Sequence, residues 1–496
     1  MQGEVVALAN VKFAKAQEKT PLYDALVKYA NSDVTPFDVP GHKRGFMHPL
    51  QETLGEMALK MDANSMRELD LLSHPTSVIE EAQSLAAQAF HVDRAYLLVN
   101  GTTVGILAMI LATCKPGDQL IVPRNCHKSA MNGILLSGAI PVFIQPEVDQ
   151  HFGIAHGISL QQVKEALDVY PQAKALFVTY PTYFGAMNEL QAICELAHER
   201  GVVVLVDSAH GAHLSVMSEM DAIEAGADVV TISMHKTGGS LTQSSMLLLQ
   251  EKRVSAKKIQ KVLNMLQTTS ASYLLMSSLD VARREIALYG EKRFHELKPI
   301  VMQTIDKIEH NSKYEVLKIS YMYQKFHQHY DWTKLVIRVN ELGLTGFEVY
   351  TLLKQKYSIQ AELAEGYVVM CVISYADTAE SLDKLVSALK DIERNYTKRE
   401  PLVMQMVVND EMNTLAMAPQ QASHAKSETI DIEEAIGRIS ADTIMIYPPG
   451  IPLIIPGEII SDKVAALLRS VVAPFAVDQL VVLFLHCHQL IFLSVV

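Results

Sequence analysis

Apolar residues in the first two thirds of the chain alternate between short continuous runs and stretches with helical spacing. The runs predict strands, and the spaced stretches between them predict helices, among them Ser77–Phe90 and Glu189–Arg200. Continuous apolar strands that alternate with helices indicate an α/β fold with a mainly parallel sheet covered by helices. Ligands of such sheets bind beyond the carboxyl ends of the strands. The predicted strands are Ala95–Val99, Gln119–Pro123, Ile140–Gln145, Ala173–Tyr180, Val202–Asp207 and Asp228–Ser233.

A second pattern begins near residue 300 and predicts a smaller α+β domain. Strands are expected at Val316–Ile319, Thr333–Val339 and Tyr367–Ile373, and helices at Thr345–Tyr357 and Thr378–Tyr396. Closely spaced prolines between residues 447 and 456 predict a stiff, extended path. The expected domains are an N-terminal helix and arm (1–45), a major domain (46–300), the small domain (301–415), a linker (416–429) and a C-terminal domain (430–496).

Composition and charge narrow the class of protein. The 496 residues are 49% hydrophobic and 20% charged, which is ordinary globular composition. A formal net charge of −12 argues against a nucleic-acid partner and weakly favours a cationic substrate. Five scattered cysteines without a C-x-x-C pair favour a reducing compartment and no metal site. No signal peptide and no long uninterrupted apolar run are evident, so we expect a cytoplasmic protein without a membrane span.

Two polar features follow the first two predicted strands. Gly101-Thr102-Thr103 stands between a strand and a helix, where backbone amides and hydroxyls can bind an anion. The alternative is an ordinary helix cap, where threonine is common. His127 follows the next strand and could stack on a flat cofactor ring, or it could be a surface or capping histidine.

Two charged residues follow later strands. Asp207 closes the run Val-Val-Val-Leu-Val-Asp, and a buried acid needs a partner such as a pyridinium nitrogen. The alternative for Asp207 is a structural acid that caps the next helix. Lys236 follows Ser233-Met234-His235 at another strand end, a setting that favours an imine-forming amine, although most lysines are simply exposed.

The order of these features indicates a cofactor. An anion site, a stacking ring, a buried acid and a lysine occur at successive strand ends, and Asp207 precedes Lys236 by about one αβ unit. Pyridoxal phosphate (PLP) requires a phosphate site, a ring cover, a partner for the ring nitrogen and an amine. We therefore expect Lys236 to carry PLP as a Schiff base.

At these residues the chain resembles the Orn/Lys/Arg decarboxylase family of fold-type I PLP enzymes, in its short bacterial form. The resemblance extends over roughly residues 20 to 458. The blocks that carry it are Pro40-Gly41-His42-Lys43-Arg44-Gly45, Asn100-Gly101-Thr102-Thr103, Pro123-Arg124-Asn125-Cys126-His127-Lys128-Ser129, Pro181-Thr182-Tyr183-Phe184-Gly185, Asp207-Ser208-Ala209-His210-Gly211, Ser233-Met234-His235-Lys236, Gly238-Gly239-Ser240-Leu241-Thr242-Gln243-Ser244-Ser245, Thr268-Thr269-Ser270, Tyr447-Pro448-Pro449-Gly450-Ile451-Pro452 and Pro456-Gly457-Glu458.

The resemblance implies a role for each site residue. Lys236 would hold the cofactor, Asp207 would pair with the pyridine nitrogen, His127 would stack on the ring, and His210 would lie near it. Lys236 or His235 would return a proton to the substrate. Thr268 would reach the phosphate of a neighbouring subunit, so a homodimer or larger homo-oligomer is expected. The residues expected around the phosphate are Thr102, Thr103, Ser233 and His235.

The implied activity is decarboxylation of a basic amino acid in polyamine metabolism, with arginine to agmatine preferred and lysine or ornithine as alternative substrates. Glu458 and Glu365 are candidates for the pocket that binds the substrate side chain. Two other functions stay open: a fold-type I aminotransferase, with Arg338 as carboxylate clamp, and an inactive regulatory paralogue.

Two departures from the family pattern bear on activity. Thr103 stands where the family usually has serine, and because the hydroxyl is kept we expect little effect. After Glu458 the family continues as a mixed polar segment with a Gln-Gly element, whereas Val471–Val496 is almost entirely apolar. If residues from Glu458 onwards shape the active site, this tail would reduce activity.

Overall fold

The computed structural model describes residues 12–217, 221–403, 412–446, 451–472 and 492–496. The first four residues of the predicted proline-rich path, Tyr447–Gly450, and most of the apolar tail lie outside the described residues. The chain forms two compact units that are interleaved in sequence. The first comprises the residues up to Ala112 together with Val203–Glu296, and the second comprises Thr113–Val202 and Leu297–Val496. The predicted domain boundaries remain predictions.

Nineteen strands are present among the described residues. They are β1 (Arg94–Leu98), β2 (Gln119–Pro123), β3 (Ile140–Ile144), β4 (Val148–Asp149), β5 (Ile154–Ala155), β6 (Ala175–Thr179), β7 (Ala186–Met187), β8 (Val203–Ser208), β9 (Val229–Ile232), β10 (Ser245–Leu249), β11 (Glu315–Val316), β12 (His329–Tyr330), β13 (Lys334–Arg338), β14 (Leu363–Ala364), β15 (Val368–Val372), β16 (Glu428–Asp431), β17 (Ile444–Ile446), β18 (Ile451–Ile454) and β19 (Phe492–Val495).

Seven strands form one sheet in the order β1-β10-β9-β8-β6-β2-β3. The pairs β2–β3, β2–β6 and β8–β9 are parallel, which confirms the predicted α/β fold with a mainly parallel sheet. β10 was not predicted; it runs antiparallel to both β1 and β9. Because β1 and β9 therefore point the same way, the carboxyl ends of β1, β8 and β9 share one edge of the sheet with the start of β10.

Helices alternate with the strands along most of the chain. Several begin with side-chain caps: Ser159 and Gln162 form a capping box, as do Thr345 and Glu348. The helices are α1 (Pro21–Ala30), α2 (Leu50–Leu54), α3 (Glu56–Met61), α4 (Val78–Ala89), α5 (Gly101–Thr113), α6 (Lys128–Ser137), α7 (Leu160–Val169), α8 (Leu190–Glu199), α9 (Met234–Thr237), α10 (Ala256–Leu266), α11 (Tyr273–Glu285), α12 (Glu291–Glu309), α13 (Ile319–Phe326), α14 (Gly346–Tyr357), α15 (Ala379–Tyr396), α16 (Pro419–His424) and α17 (Asp462–Val472).

The second unit contains the predicted small α+β fold. Its sheet has the order β11-β13-β15-β14, is antiparallel throughout, and is accompanied by α14 and α15. The prediction of a strand over Val316–Ile319 was partly wrong. The strand ends at Val316 and helix α13 begins at Ile319, because the apolar residues Ile319, Met322 and Phe326 repeat at helical spacing.

The C-terminal part of the second unit has a hydrophobic core of its own. Eight buried residues form it, and α17 packs there through Val464 and Leu468. The short helix α16 lies inside the segment predicted as a linker. Within the described ranges β18, which contains Pro452, pairs with β17 alone, so the proline does not interrupt a central strand there. Among the described residues, no helix has both the length and the apolar character needed to cross a bilayer.

Candidate active site

A buried carboxylate marks the carboxyl end of β8. All six residues of this strand are buried because they form a continuous, β-branched-rich run in the interior of the sheet. Asp207 is 3% exposed, and its Oδ1 accepts a hydrogen bond of 3.0 Å from the amide of Ala209. Asp207 lies opposite Thr231 of the parallel strand β9. The acid and the residues that follow β9 therefore share one edge of the sheet.

The predicted Schiff-base lysine lies just beyond β9, in the one-turn helix α9. Lys236 is exposed, and its Nζ lies 2.8 Å from Nε2 of His210. His210 is buried and follows β8 by two residues. A lysine ammonium can only donate hydrogen bonds, so Nε2 of His210 accepts when Lys236 is protonated. This contact gives the amine a nearby group that can take up its proton.

Hydroxyl groups from two strand ends meet beside this lysine. Thr102 Oγ1 and Ser233 Oγ are 3.1 Å apart, although they are distant in the sequence. Thr102 belongs to the first turn of α5, which begins at Gly101 with a positive φ of 71°. Thr103 is the next residue of the same turn and is exposed. Clustered hydroxyls at the start of a helix form a suitable site for an anion.

Two further predicted residues lie in this unit. Nδ1 of His235 is 2.8 Å from the carbonyl oxygen of Ser244, and because a carbonyl only accepts, Nδ1 carries a proton. Nε2 is then the ring atom that can exchange a proton. Thr268 is exposed; its Oγ1 accepts a hydrogen bond from the Ser270 amide, and its own amide lies 3.5 Å from Oδ1 of Asn100.

His127 belongs to the second unit. It is the N-cap of α6, and its Nδ1 accepts hydrogen bonds from the amide of Ser129 at 3.2 Å and from the hydroxyl of Ser129 at 2.7 Å. The capping alternative for this residue is therefore realised in the fold. The capping hydrogen bonds engage Nδ1, an atom at the edge of the ring. Capping therefore does not exclude stacking of the ring face on a cofactor.

The two carboxylates considered for a substrate pocket are poorly suited to bind a cation. Glu458 is 1% exposed and binds the guanidinium of Arg124 through both oxygens, at 2.5 and 2.8 Å. Its Oε2 also accepts hydrogen bonds from Asn413 and from the amide of Ile455. Burial raises the pKa of Glu365 well above its ordinary value, which favours a neutral side chain. Neither residue offers an uncompensated negative charge.

The arginine considered as an aminotransferase clamp is also occupied. Nη1 of Arg338 lies 3.2 Å from Glu315 and Nη2 lies 3.2 Å from Glu341. A guanidinium held between two carboxylates is less suited to bind the carboxylate that an aminotransferase retains. This observation weakens the aminotransferase alternative.

One contact beside Lys236 was not predicted. Nδ1 of His213 lies 3.1 Å from the hydroxyl of Thr237, and both side chains are buried. The sequence carried a weak signal, since His213 follows His210 at a three-residue spacing and Thr237 directly follows Lys236. Only the tertiary structure brings these two pairs of residues together.

Comparisons with known proteins find relatives that match most of the chain. The chain is 44% identical to an arginine decarboxylase of Bacillus subtilis over 453 residues, which cover 90% of the chain and 92% of the relative. It is 43% identical to an arginine decarboxylase of Halalkalibacterium halodurans over 467 residues, which cover 92% of the chain and 94% of that relative. The crystal structure of a Francisella novicida lysine decarboxylase shares the fold, with a TM-score of 0.80, 19% identity, and 96% and 81% of the two chains covered.

Two family models match most of the sequence. The major domain of the Orn/Lys/Arg decarboxylases matches residues 20–381, and their C-terminal domain matches residues 401–476. Together with the relatives, these matches confirm the resemblance inferred from the sequence blocks and the fold class expected from it. The chain belongs to the PLP-dependent Orn/Lys/Arg decarboxylase family.

Proposed function

We propose that this chain decarboxylates L-arginine to agmatine and CO2, with PLP bound through Nζ of Lys236. The observation that carries the proposal is the 2.8 Å contact between Lys236 and His210, at the same sheet edge as the buried Asp207. An amine, a proton acceptor and a buried carboxylate at neighbouring strand ends are the groups that this chemistry requires.

The donor set of the first unit fits the cofactor. Asp207 is a buried acid that would hold a proton on the pyridine nitrogen. Thr102 and Ser233 provide two hydroxyls within 3.1 Å of each other for the phosphate, with Thr103 in the same helical turn. When bound, PLP supplies an electron sink for the pair of electrons released as the bond between Cα and the carboxylate breaks.

Different residues around Lys236 are proposed to accept and to donate protons. His210 would take a proton from the Lys236 ammonium at Nε2 and so prepare the amine for imine formation. After CO2 leaves, a proton must be delivered to Cα of the product. Lys236 and His235 are the proposed donors, and His235 would act through Nε2 because Nδ1 is held by the carbonyl of Ser244.

Arginine is proposed as the substrate because relatives that are more than 40% identical over about nine tenths of the chain are arginine decarboxylases. The net charge of −12 is compatible with a cationic amino acid. His127 is proposed to stack on the cofactor ring. Thr268 is proposed to reach the cofactor phosphate of a second copy of the chain, so the proposed active form is at least a homodimer.

The direct test is an assay of amine and CO2 release by the purified, PLP-loaded chain on L-arginine, L-lysine and L-ornithine. We expect equal amounts of agmatine and CO2 from arginine and at least tenfold lower kcat/KM with the other two. Keto-acid formation would indicate an aminotransferase. Absence of any product would leave the inactive paralogue as the better description. A preference for lysine or ornithine would keep the reaction and correct the substrate.

A further inference from the structure

Lys236 stands on a helix that is too short to hold its own orientation. Helix α9 has only four residues, and its backbone bonds are limited to one turn, with the amide of Lys236 donating to the carbonyl of Ser233 and that of Gly238 to the carbonyl of Met234. One hydrogen-bonded turn does not compensate for the entropy of fixing its residues. The direction of the Lys236 side chain must therefore be set by contacts outside the helix.

The buried face of α9 supplies one such contact. Thr237 is 1% exposed, and its Oγ1 lies 3.1 Å from Nδ1 of His213, which is fully buried. The His213 ring also packs against Phe294, with 5.5 Å between ring centroids. A hydrogen bond between two buried side chains restrains both strongly, because neither can exchange its partner for bulk water.

A single short segment thus contacts two consecutive residues of α9. His210 lies against the amine of Lys236, and His213 lies against the hydroxyl of Thr237. His213 belongs to a 3₁₀ helix over Ala212–Val216, which three residues separate from the end of β8. β8 is an interior strand of the sheet, so these two contacts connect α9 to a segment that follows the centre of the sheet.

We propose that His213 is a positioning residue for the Schiff-base lysine: through the hydroxyl of Thr237 it fixes the position of Lys236 relative to His210. The proposal rests on the proposed function, because it assigns a purpose to the position of Lys236. His213 contacts the hydroxyl of Thr237, so its proposed effect on Lys236 passes through Thr237 and the backbone of α9.

The test uses an isosteric pair at position 237. Thr237→Val removes the hydroxyl and keeps the volume, whereas Thr237→Ser keeps the hydroxyl. We expect Thr237→Val to lower kcat for arginine about tenfold, the loss that corresponds to one hydrogen bond, with KM within about twofold. Thr237→Ser should stay within about twofold of the wild type. Thr304→Val is the matched control, because Thr304 is another buried threonine with one bond to a backbone carbonyl.

A double-mutant cycle separates positioning from general destabilisation. If His213 acts through Thr237, then Thr237→Val added to His213→Phe should cause no further loss of kcat. Additive losses in the cycle, or an unchanged kcat in Thr237→Val, would overturn the proposal. Should Thr237→Val fail to fold, the comparison of His213→Phe with the hydrogen-bonding variant His213→Gln carries the same test, and equal kcat values for these two would overturn it.

A second measurement does not depend on decarboxylation. In the cofactor-free protein, the rate at which acetic anhydride labels Lys236 can be followed by mass spectrometry, with exposed Lys252 as internal standard. We expect Thr237→Val to change the labelling rate of Lys236 at least threefold while that of Lys252 stays constant. An unchanged ratio would refute the positioning role even if the wild type proved to have another activity, so the two proposals fail separately.

Discussion

The geometry of the buried ion pair between Arg124 and Glu458 allows us to predict how much its disruption lowers the free energy of unfolding. Both side chains are almost completely buried, at 4% and 1% exposure, and they share two hydrogen bonds. Nε and Nη2 of Arg124 also donate to the carbonyls of Pro452 and Leu453. Glu458→Gln keeps the shape of the site but leaves a buried guanidinium without its counter-charge.

The size of the effect follows from that geometry. Hydrogen bonds to charged groups contribute about 1.5–3 kcal/mol each, and breaking a buried pair by removing one partner costs about 3–5 kcal/mol. If the free energy of unfolding falls by about 3 kcal/mol per molar urea, a loss of about 4 kcal/mol of stability lowers the urea midpoint of unfolding by roughly 1.3 M. Equilibrium urea unfolding followed by circular dichroism measures this shift.

The exposed pair between Arg438 and Glu428 provides the control. Glu428→Gln should lower stability by less than about 1 kcal/mol, because such pairs are solvated. The double variant Arg124→Met/Glu458→Leu should recover part of the loss, since no charge is then buried alone. A midpoint shift for Glu458→Gln no larger than that for Glu428→Gln would refute the reasoning. The folded Glu458→Gln enzyme should keep the preference of the wild type between arginine and lysine, because Glu458 is engaged by Arg124.

Three further predictions concern other parts of the molecule. Burial opposes ionisation of Asp149, but hydrogen bonds from His156, Lys325 and Tyr321 outweigh it and hold the carboxyl pKa far below its ordinary value. This stability is present above the unfolded pKa of about 4 and is lost as pH falls, so thermal unfolding of Asp149→Asn should change less between pH 5 and 3 than that of the wild type. A Cβ at Gly346 would lie 2.0 Å from the carbonyl of Val368, so Gly346→Ala should lower the melting temperature, whereas Gly41→Ala, with open space around it, should not. Asp207→Asn should lower kcat about 10²-fold or more while leaving the fold intact, because it removes the charge proposed to keep the proton on the pyridine nitrogen; an unchanged rate would remove Asp207 from the proposed mechanism.

The sheet was predictable because its strands satisfy a strong local pattern. β2 has its predicted bounds, and β8 and β9 fall within about one residue of theirs, since buried parallel strands must be continuously apolar. The direction of β10 was not predictable, because the apolar run Ser-Met-Leu-Leu-Leu suits either orientation in the interior of a sheet. The predicted strand at β11 extended too far towards the C-terminus, because only two residues separate β11 from the start of helix α13.

The sequence predicted which strand ends form the candidate site, but not the contacts between its side chains. Lys236, Asp207 and Thr102 could be placed together because carboxyl ends of parallel strands share an edge. The contact between His213 and Thr237 depends on side-chain burial and on the turn that follows β8, which no periodicity encodes. The pairing of Glu458 with Arg124 is likewise set by long-range packing, and it makes Glu458 a weaker candidate for the substrate pocket.

The proposed function depends most directly on Lys236 as the residue that holds the cofactor. Borohydride reduction of the PLP-loaded chain, followed by proteolysis and mass spectrometry, fixes the cofactor to whichever lysine carries it. We expect a pyridoxyl group on the peptide that contains Lys236, and no labelled peptide from the Lys236→Ala variant. A pyridoxyl group on any other lysine, or the same labelling in Lys236→Ala, would contradict this expectation.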